Sequence, residues 1–215
     1  MDKLIQGAIK FKEEDYIEHK ALYESLKKAQ NPDTLFIGCA DSRVVPSRIT
    51  GTLPGELFVV RNIGNIVPPF TIKNDSYLST TSAIEYAVVI LGVKNIVVCG
   101  HSNCGACQAL YDENFDSNTE HFQKWIELLH PVRDQVNLLS PKTKAKRTWL
   151  TEQINIEVQI NNLLTYPFIK KKIQDNELKL FGWYYIIETG EIMNYNLKTK
   201  QFRAIKKEST LKEKE

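Results

Sequence analysis

The chain lacks charge of one dominant sign. Among its 215 residues, 28 Lys and Arg stand against 26 Asp and Glu, for a formal net charge of +2. That balance supplies no electrostatic footprint for nucleic acid or for an anionic membrane surface, so neither is expected as a partner. The basic triplet Lys170-Lys171-Lys172 reads as a solvated helix face. No apolar stretch approaches the ~20 residues of a membrane span. The beginning of the chain, with Asp2, Lys3, Lys10 and Lys12, lacks the apolar core of a signal peptide. A cytoplasmic location is therefore expected, where Cys39, Cys99, Cys104 and Cys107 stay reduced. Internal repeats and linkers are also lacking. This predicts a single domain over 1–205 with an N-terminal helical arm, followed by a charged, disordered tail at 206–215.

What is present is an alternation of helical and strand patterns. Apolar runs at 34–39, 56–61 and 95–100 read as buried strands. Helices are expected at 15–28, at 77–91 with Gly92 as C-terminal cap, at 121–138, at 148–165 and at 168–176, the last two parted by Pro167. The polar stretch 112–120 reads as an exposed loop. Segments 180–187 and 192–195, joined through Thr189-Gly190, read as two strands and a tight turn. The fold class expected is α/β: a mainly parallel central sheet flanked by helices, with an added C-terminal antiparallel strand or hairpin.

Two of the strand patterns end in metal-binding chemistry. The first closes on Cys39 and runs into Ala40-Asp41-Ser42-Arg43; the third closes on Cys99-Gly100-His101, with Cys104 three positions on. Open parallel sheets bind ligands beyond the carboxyl ends of their strands, which can bring Cys39 to His101. A helical turn from His101 would put Cys104 on the same face. Two thiolates and one imidazole are three ligands, and zinc with three protein ligands keeps a fourth position for water. Each cysteine alone would read as a small buried hydrophobe. A structural zinc site would bring a second tight Cys pair, and Cys39 has no partner cysteine nearby.

The motifs Cys39-x-Asp41-Ser42-Arg43 and His101-x-x-Cys104-Gly105, with Pro54-Gly55-Glu56-Leu57-Phe58-Val59-Val60-Arg61-Asn62 between them, resemble the β-class carbonic anhydrases. The resemblance implies a lyase for carbon utilization, which interconverts carbon dioxide and bicarbonate through attack of zinc-bound hydroxide. It also implies one Zn2+ per chain and a dimer or dimer of dimers. Cys39, His101 and Cys104 would be ligands. Asp41 would either pair with Arg43 and orient the hydroxide, or swing onto zinc and close the site. Phe36 stands where the bicarbonate-regulated branch carries tryptophan, whereas Gln30 and Tyr86 match the plant-like branch, so the expected resting state is open. Phe58, Ile63 and Tyr86 would wall the carbon dioxide pocket and the Gln30 amide would bind a substrate oxygen, several of them from a neighbouring subunit. Backbone N–H groups around Gly105 could hold an anion, and Arg61 would hold a loop or the dimer seam.

Cys99 reads as packing, and Cys107 as the inner face of a helix rather than a competing ligand. His19, His121 and His130 are open candidates for a proton relay. Two other functions fit the same residues. One is hydrolysis of carbonyl sulfide or carbon disulfide. The other is a zinc-stabilised binding or redox-sensing protein, which Cys104-x-x-Cys107 could serve.

Overall fold

The computed structural model describes residues 1–71, 77–112 and 114–206. Most of the tail expected at 206–215 therefore lies outside the described residues. A six-stranded sheet runs in the order β2-β1-β3-β4-β5-β6. Its strands are β1 (Thr34–Cys39), β2 (Leu57–Asn62), β3 (Asn95–His101), β4 (Lys179–Tyr185), β5 (Ile192–Asn196) and β6 (Gln201–Ala204). Strands β1 to β4 are mutually parallel, while β5 and β6 add antiparallel at one edge. The expected α/β class and C-terminal hairpin are thus present.

The order places a switch point where it matters. The chain leaves β1 towards β2, then crosses back to lay β3 on the other side of β1. A crevice opens beyond the carboxyl ends of strands at such a reversal. Gly38 pairs with Cys99, so Cys39 and His101 emerge at the same end of adjacent strands.

The long helix Lys144–Leu163 packs on β3 and β4 and begins four residues earlier than its pattern indicated, because Thr143 Oγ1 caps it by accepting the Lys146 N–H at 3.2 Å. It comes close because two strand positions are glycine. A Cβ at Gly100 would lie 2.8 Å from Ile156 Cγ1, and one at Gly182 would lie 2.7 Å from Ile160 Cδ1. Leu35, Ile37, Ile96, Val98, Ile156 and Ile160 make this face the main core.

The same helix also carries buried polar side chains. Gln159 Oε1 accepts the Val67 N–H at 2.8 Å, and Asn155 Nδ2 donates to Gly64 O at 3.0 Å. These bonds satisfy an irregular segment that could otherwise not be buried.

Other boundaries moved for local reasons. The N-terminal helix starts at Asp2, and the run breaks at His19 before Lys20–Leu26. The expected helix 121–138 is Glu120–Ile126, a tight turn, then His130–Leu138 with Pro131 in its first turn. Leu78–Glu85 continues as a wider turn through Tyr86–Ile90, and Gly92 beyond it takes the expected left-handed φ of 70°. The last helix is Pro167–Gln174.

Candidate metal centre

Cys39 closes β1, His101 closes β3, and Cys104 is the N-cap of the short helix Gly105–Ala109. Their donor atoms lie within 4.8 Å of one another, and all three residues are buried. His101 Nδ1 is 2.9 Å from Ser102 O, which turns Nε2 towards the sulfurs. Nε2 is buried and has no hydrogen-bond partner among the described residues. Leaving a buried acceptor or donor unsatisfied is costly, and a metal ion is the group that fits.

The thiols point the same way. Cys39 Sγ receives the Asp41 N–H at 3.5 Å and the Gly64 N–H at 3.4 Å. Even so, the adjoining Cys104 thiol and then burial push Cys39 up to about 12. Contact with Cys107, together with burial, pushes Cys104 up as well. Two crowded thiols without a counter-charge resist ionisation, whereas a divalent cation between them deprotonates both.

Asp41 is beside this cluster without belonging to it. Its Oδ1 accepts the Arg43 Nε–H at 2.9 Å and the Arg43 backbone N–H at 2.9 Å, and its Oδ2 accepts from Nη2 at 2.7 Å. This fork holds the Asp41 carboxyl well below the usual carboxylate range. Oδ2 nevertheless lies 3.9 Å from His101 Nε2, so the carboxylate borders the metal position. Arg61 locks the loop from below: Nε donates to Cys39 O at 3.1 Å and Nη2 to Asp41 O at 2.7 Å.

Other expected site residues are more scattered. Ile63 and Ala40 line a cavity of about 940 Å3 with Leu78, His121, Phe122 and Trp125. Phe58 and Tyr86 pair with each other, ring centroids 5.8 Å apart, and Tyr86 faces a separate cavity of about 430 Å3. Gln30 is exposed after the Lys20–Leu26 helix. Gly105 opens its helix, but the Glu152 carboxylate already accepts the Cys104 N–H there, at 3.2 Å. Cys107 is buried on the helix face away from solvent, with Asn155 Nδ2 3.9 Å from its sulfur. Cys99 packs with Phe36 and Val97.

Comparison with known proteins supplies the family. The family model described as carbonic anhydrase matches residues 34–192. The chain belongs to the β-carbonic anhydrase family. A carbonic anhydrase of Helicobacter pylori (strain J99) is 50% identical over 212 residues, covering 96% of this chain and 95% of the relative. One from Synechococcus elongatus is 38% identical over 196 residues, covering 90% and 71%. Among solved structures, the β-carbonic anhydrase CcaA superposes with a TM-score of 0.87 at 38% identity, over 96% of this chain and 92% of that one. The tetrameric β-carbonic anhydrases of Sordaria macrospora give 0.79 at 31% identity, over 90% and 95%.

Two carboxylates at this carbonic anhydrase site escaped the sequence reading. Glu152 is buried, and burial raises its carboxyl. Glu188 contacts Ser102 and Asn103, and the Ser102 hydroxyl helps lower its carboxyl. Neither lies near a motif, and Glu152 reaches Cys104, and Glu188 the Ser102–Asn103 turn, only through tertiary contacts.

Proposed function

We propose that this chain is a zinc enzyme that hydrates carbon dioxide reversibly to bicarbonate and a proton at Cys39, His101 and Cys104. The observation that carries this is the buried His101 Nε2, without a hydrogen-bond partner among the described residues, facing two thiols within 4.8 Å, in a chain of the carbonic anhydrase family. When bound there, zinc would lower the pKa of water from ~15.7 and so supply a nucleophile; the ~7 of the three-histidine carbonic anhydrases is a lower limit here, because two thiolates offset the charge of the ion.

The residues do the positioning. Asp41 stays ionised, so it serves as an acceptor that orients the attacking water and is too weak a base to deprotonate it. Arg43 keeps Asp41 off the metal position, and this supports an open resting site of the plant-like kind. Carbon dioxide is small and apolar, and the cavity beside Ala40 offers Ile63, Leu78, Phe122 and Trp125 as walls.

Gln30, Phe58 and Tyr86 complete the pocket from a second copy of the chain. Supporting a dimer, Leu78, Tyr86, Val89 and Ile90 expose apolar surface along one helix, and no residue of the Asp2–Lys10 helix is buried. A dimer or dimer of dimers is the assembly this favours, with 1–205 acting as one domain. No described helix is long and apolar enough to cross a membrane. The four free cysteines fit a reducing cytoplasm.

The test is ligand by ligand. Cys39→Ser, His101→Gln and Cys104→Ser are each expected to lose both bound zinc and carbon dioxide hydration. A variant that kept both would remove its residue from the site.

A further inference from the structure

The loop that carries two of the three ligands is held by carboxylates from two other elements. Between His101 and Cys104 the chain turns through Ser102 and Asn103, the latter in the left-handed region at φ 55°. Asparagine tolerates that conformation better than most residues but does not fix it. Something else must hold the turn.

From the connection after β4, Glu188 Oε2 accepts the Ser102 hydroxyl at 2.7 Å, and Oε1 accepts from Asn103 Nδ2. The Ser102 oxygen in turn accepts the Ile187 N–H at 3.0 Å. The Asn103 carbonyl accepts Arg43 Nη2 at 3.1 Å. Glu188 therefore reaches both the ligand loop and, through Asn103, the arginine that restrains Asp41.

From the Lys144–Leu163 helix, Glu152 Oε1 accepts the Cys104 N–H at 3.2 Å, and Oε2 accepts the Tyr184 hydroxyl at 2.7 Å. A buried carboxylate beside a metal-binding cysteine is costly to place unless its oxygens are hydrogen-bonded. Its two directed hydrogen bonds give it a use there: they fix the peptide on which Cys104 is carried.

We propose that Glu152 and Glu188 are positioning residues of the metal centre. Glu152, oriented by Tyr184, fixes Cys104. Glu188 fixes the Ser102–Asn103 turn and, through it, the reach of Arg43 to Asp41. Partners that orient metal ligands typically change metal affinity or activity by about 10–100-fold when removed. The inference rests on the zinc reading of the site, and its deciding readout, zinc release, therefore needs no substrate.

Zinc-loaded wild type, Glu188→Ala, Glu188→Gln, Glu152→Gln and Tyr184→Phe are mixed with excess chelator, and zinc transfer is timed below the melting temperature of each. Glu188→Ala and Tyr184→Phe are expected to release zinc about 10-fold faster or more. Glu188→Gln should recover part of the loss, because its carbonyl still accepts from Ser102. Glu188→Ala should also lower kcat more than it changes KM, since Asp41 is left less well oriented. If Glu152→Gln does not fold, Tyr184→Phe removes only one hydroxyl and still reads the same contact. Folded variants that release zinc at the wild-type rate overturn the proposal, as does equal release from the Ala and Gln variants at position 188. A wild type that holds no zinc overturns both this inference and the function. One that holds zinc without hydrating carbon dioxide overturns the function alone, and the release rates still decide the positioning roles.

Discussion

Gly182→Ala tests whether the close seat of the Lys144–Leu163 helix on the sheet depends on missing side chains. An alanine Cβ at 182 would meet Ile160 Cδ1 at 2.7 Å, Ile156 Cγ2 at 2.8 Å and Tyr195 Cβ at 3.0 Å. Carbon atoms prefer about 3.5–4.0 Å, so three overlaps must be relieved at once. The Tyr195 Cβ is fixed to the backbone of β5, and relief falls on the two isoleucines and the helix that carries them. Overpacking of this kind costs about 1–3 kcal/mol. Alanine recovers about 0.4–1 kcal/mol by restricting the unfolded chain, which leaves a net loss between about 0 and 2.6 kcal/mol, centred at about 1.3 kcal/mol. In a chain of this size each kcal/mol lowers Tm by about 2–4 °C, for a fall of about 3–5 °C at the centre of that range and about 10 °C at most. Thermal unfolding followed by circular dichroism reads it directly. Ile160→Val, which deletes the nearest methyl, should be destabilising in the wild type and close to neutral in the Gly182→Ala background, a coupling that a double-mutant cycle resolves. A Gly182→Ala protein that melts at or above the wild type, with Ile160→Val equally costly in both backgrounds, would refute the packing argument.

The site gives further expectations. Arg43→Gln removes the fork on Asp41 and should lower kcat/KM by about 10–100-fold, measured by stopped flow, with zinc content unchanged; unaltered kinetics would mean that Asp41 needs no restraint. Because Asp41 titrates below its unfolded value, its contribution to stability is full above about pH 3.9 and is lost as pH falls through the depressed value. Arg43→Gln should therefore unfold at higher pH than wild type in acid titrations, and coincident acid transitions would count against this. Cys107→Ser should keep one zinc per chain by elemental analysis, whereas Cys104→Ser should not; zinc loss in the former would return Cys107 to the ligand set. Ile90→Glu places a charge on the exposed apolar helix face and should shift sedimentation towards monomer with a fall in activity. An unchanged sedimentation coefficient would exclude that face from the interface.

Two of the three candidate ligands, Cys39 and His101, were legible because each sits at the end of a short, continuously buried strand, and a parallel sheet delivers such ends to one crevice. Cys104, the N-cap of the next helix, was legible only by its spacing from His101. Asp41 and Arg43 were legible as a pair, but the segment is a turn rather than the extended stretch their spacing suggested: the Val44 N–H donates to Asp41 O at 2.9 Å, and the Arg43 N–H to Asp41 Oδ1 at 2.9 Å. Glu152 was hidden because it sits in a helix whose Glu152, Gln153, Asn155 and Gln159 look like a solvated face and are buried. Its contact with Cys104 spans 48 residues, and that of Glu188 with Ser102 spans 86. No local pattern encodes either. Strand β6 was missed because its four residues, Gln201–Ala204, leave every second side chain exposed and carry no apolar run. The helix Pro46–Thr50 is too short for a periodicity to register. The Asp2 start was missed because a helix with no buried residue leaves the apolar Leu4, Ile5 and Ile9 without a visible partner.

Stopped-flow carbon dioxide hydration from mildly acidic to alkaline pH, with zinc assayed on the same sample, decides whether Cys39, His101 and Cys104 hold a zinc that hydrates carbon dioxide with Asp41 standing off the metal. One zinc per chain is expected, with activity present at neutral pH and rising as pH increases. One zinc per chain with no hydration until alkaline pH would contradict the open arrangement of Asp41 and Arg43, and one zinc with no hydration at any pH would contradict the function itself.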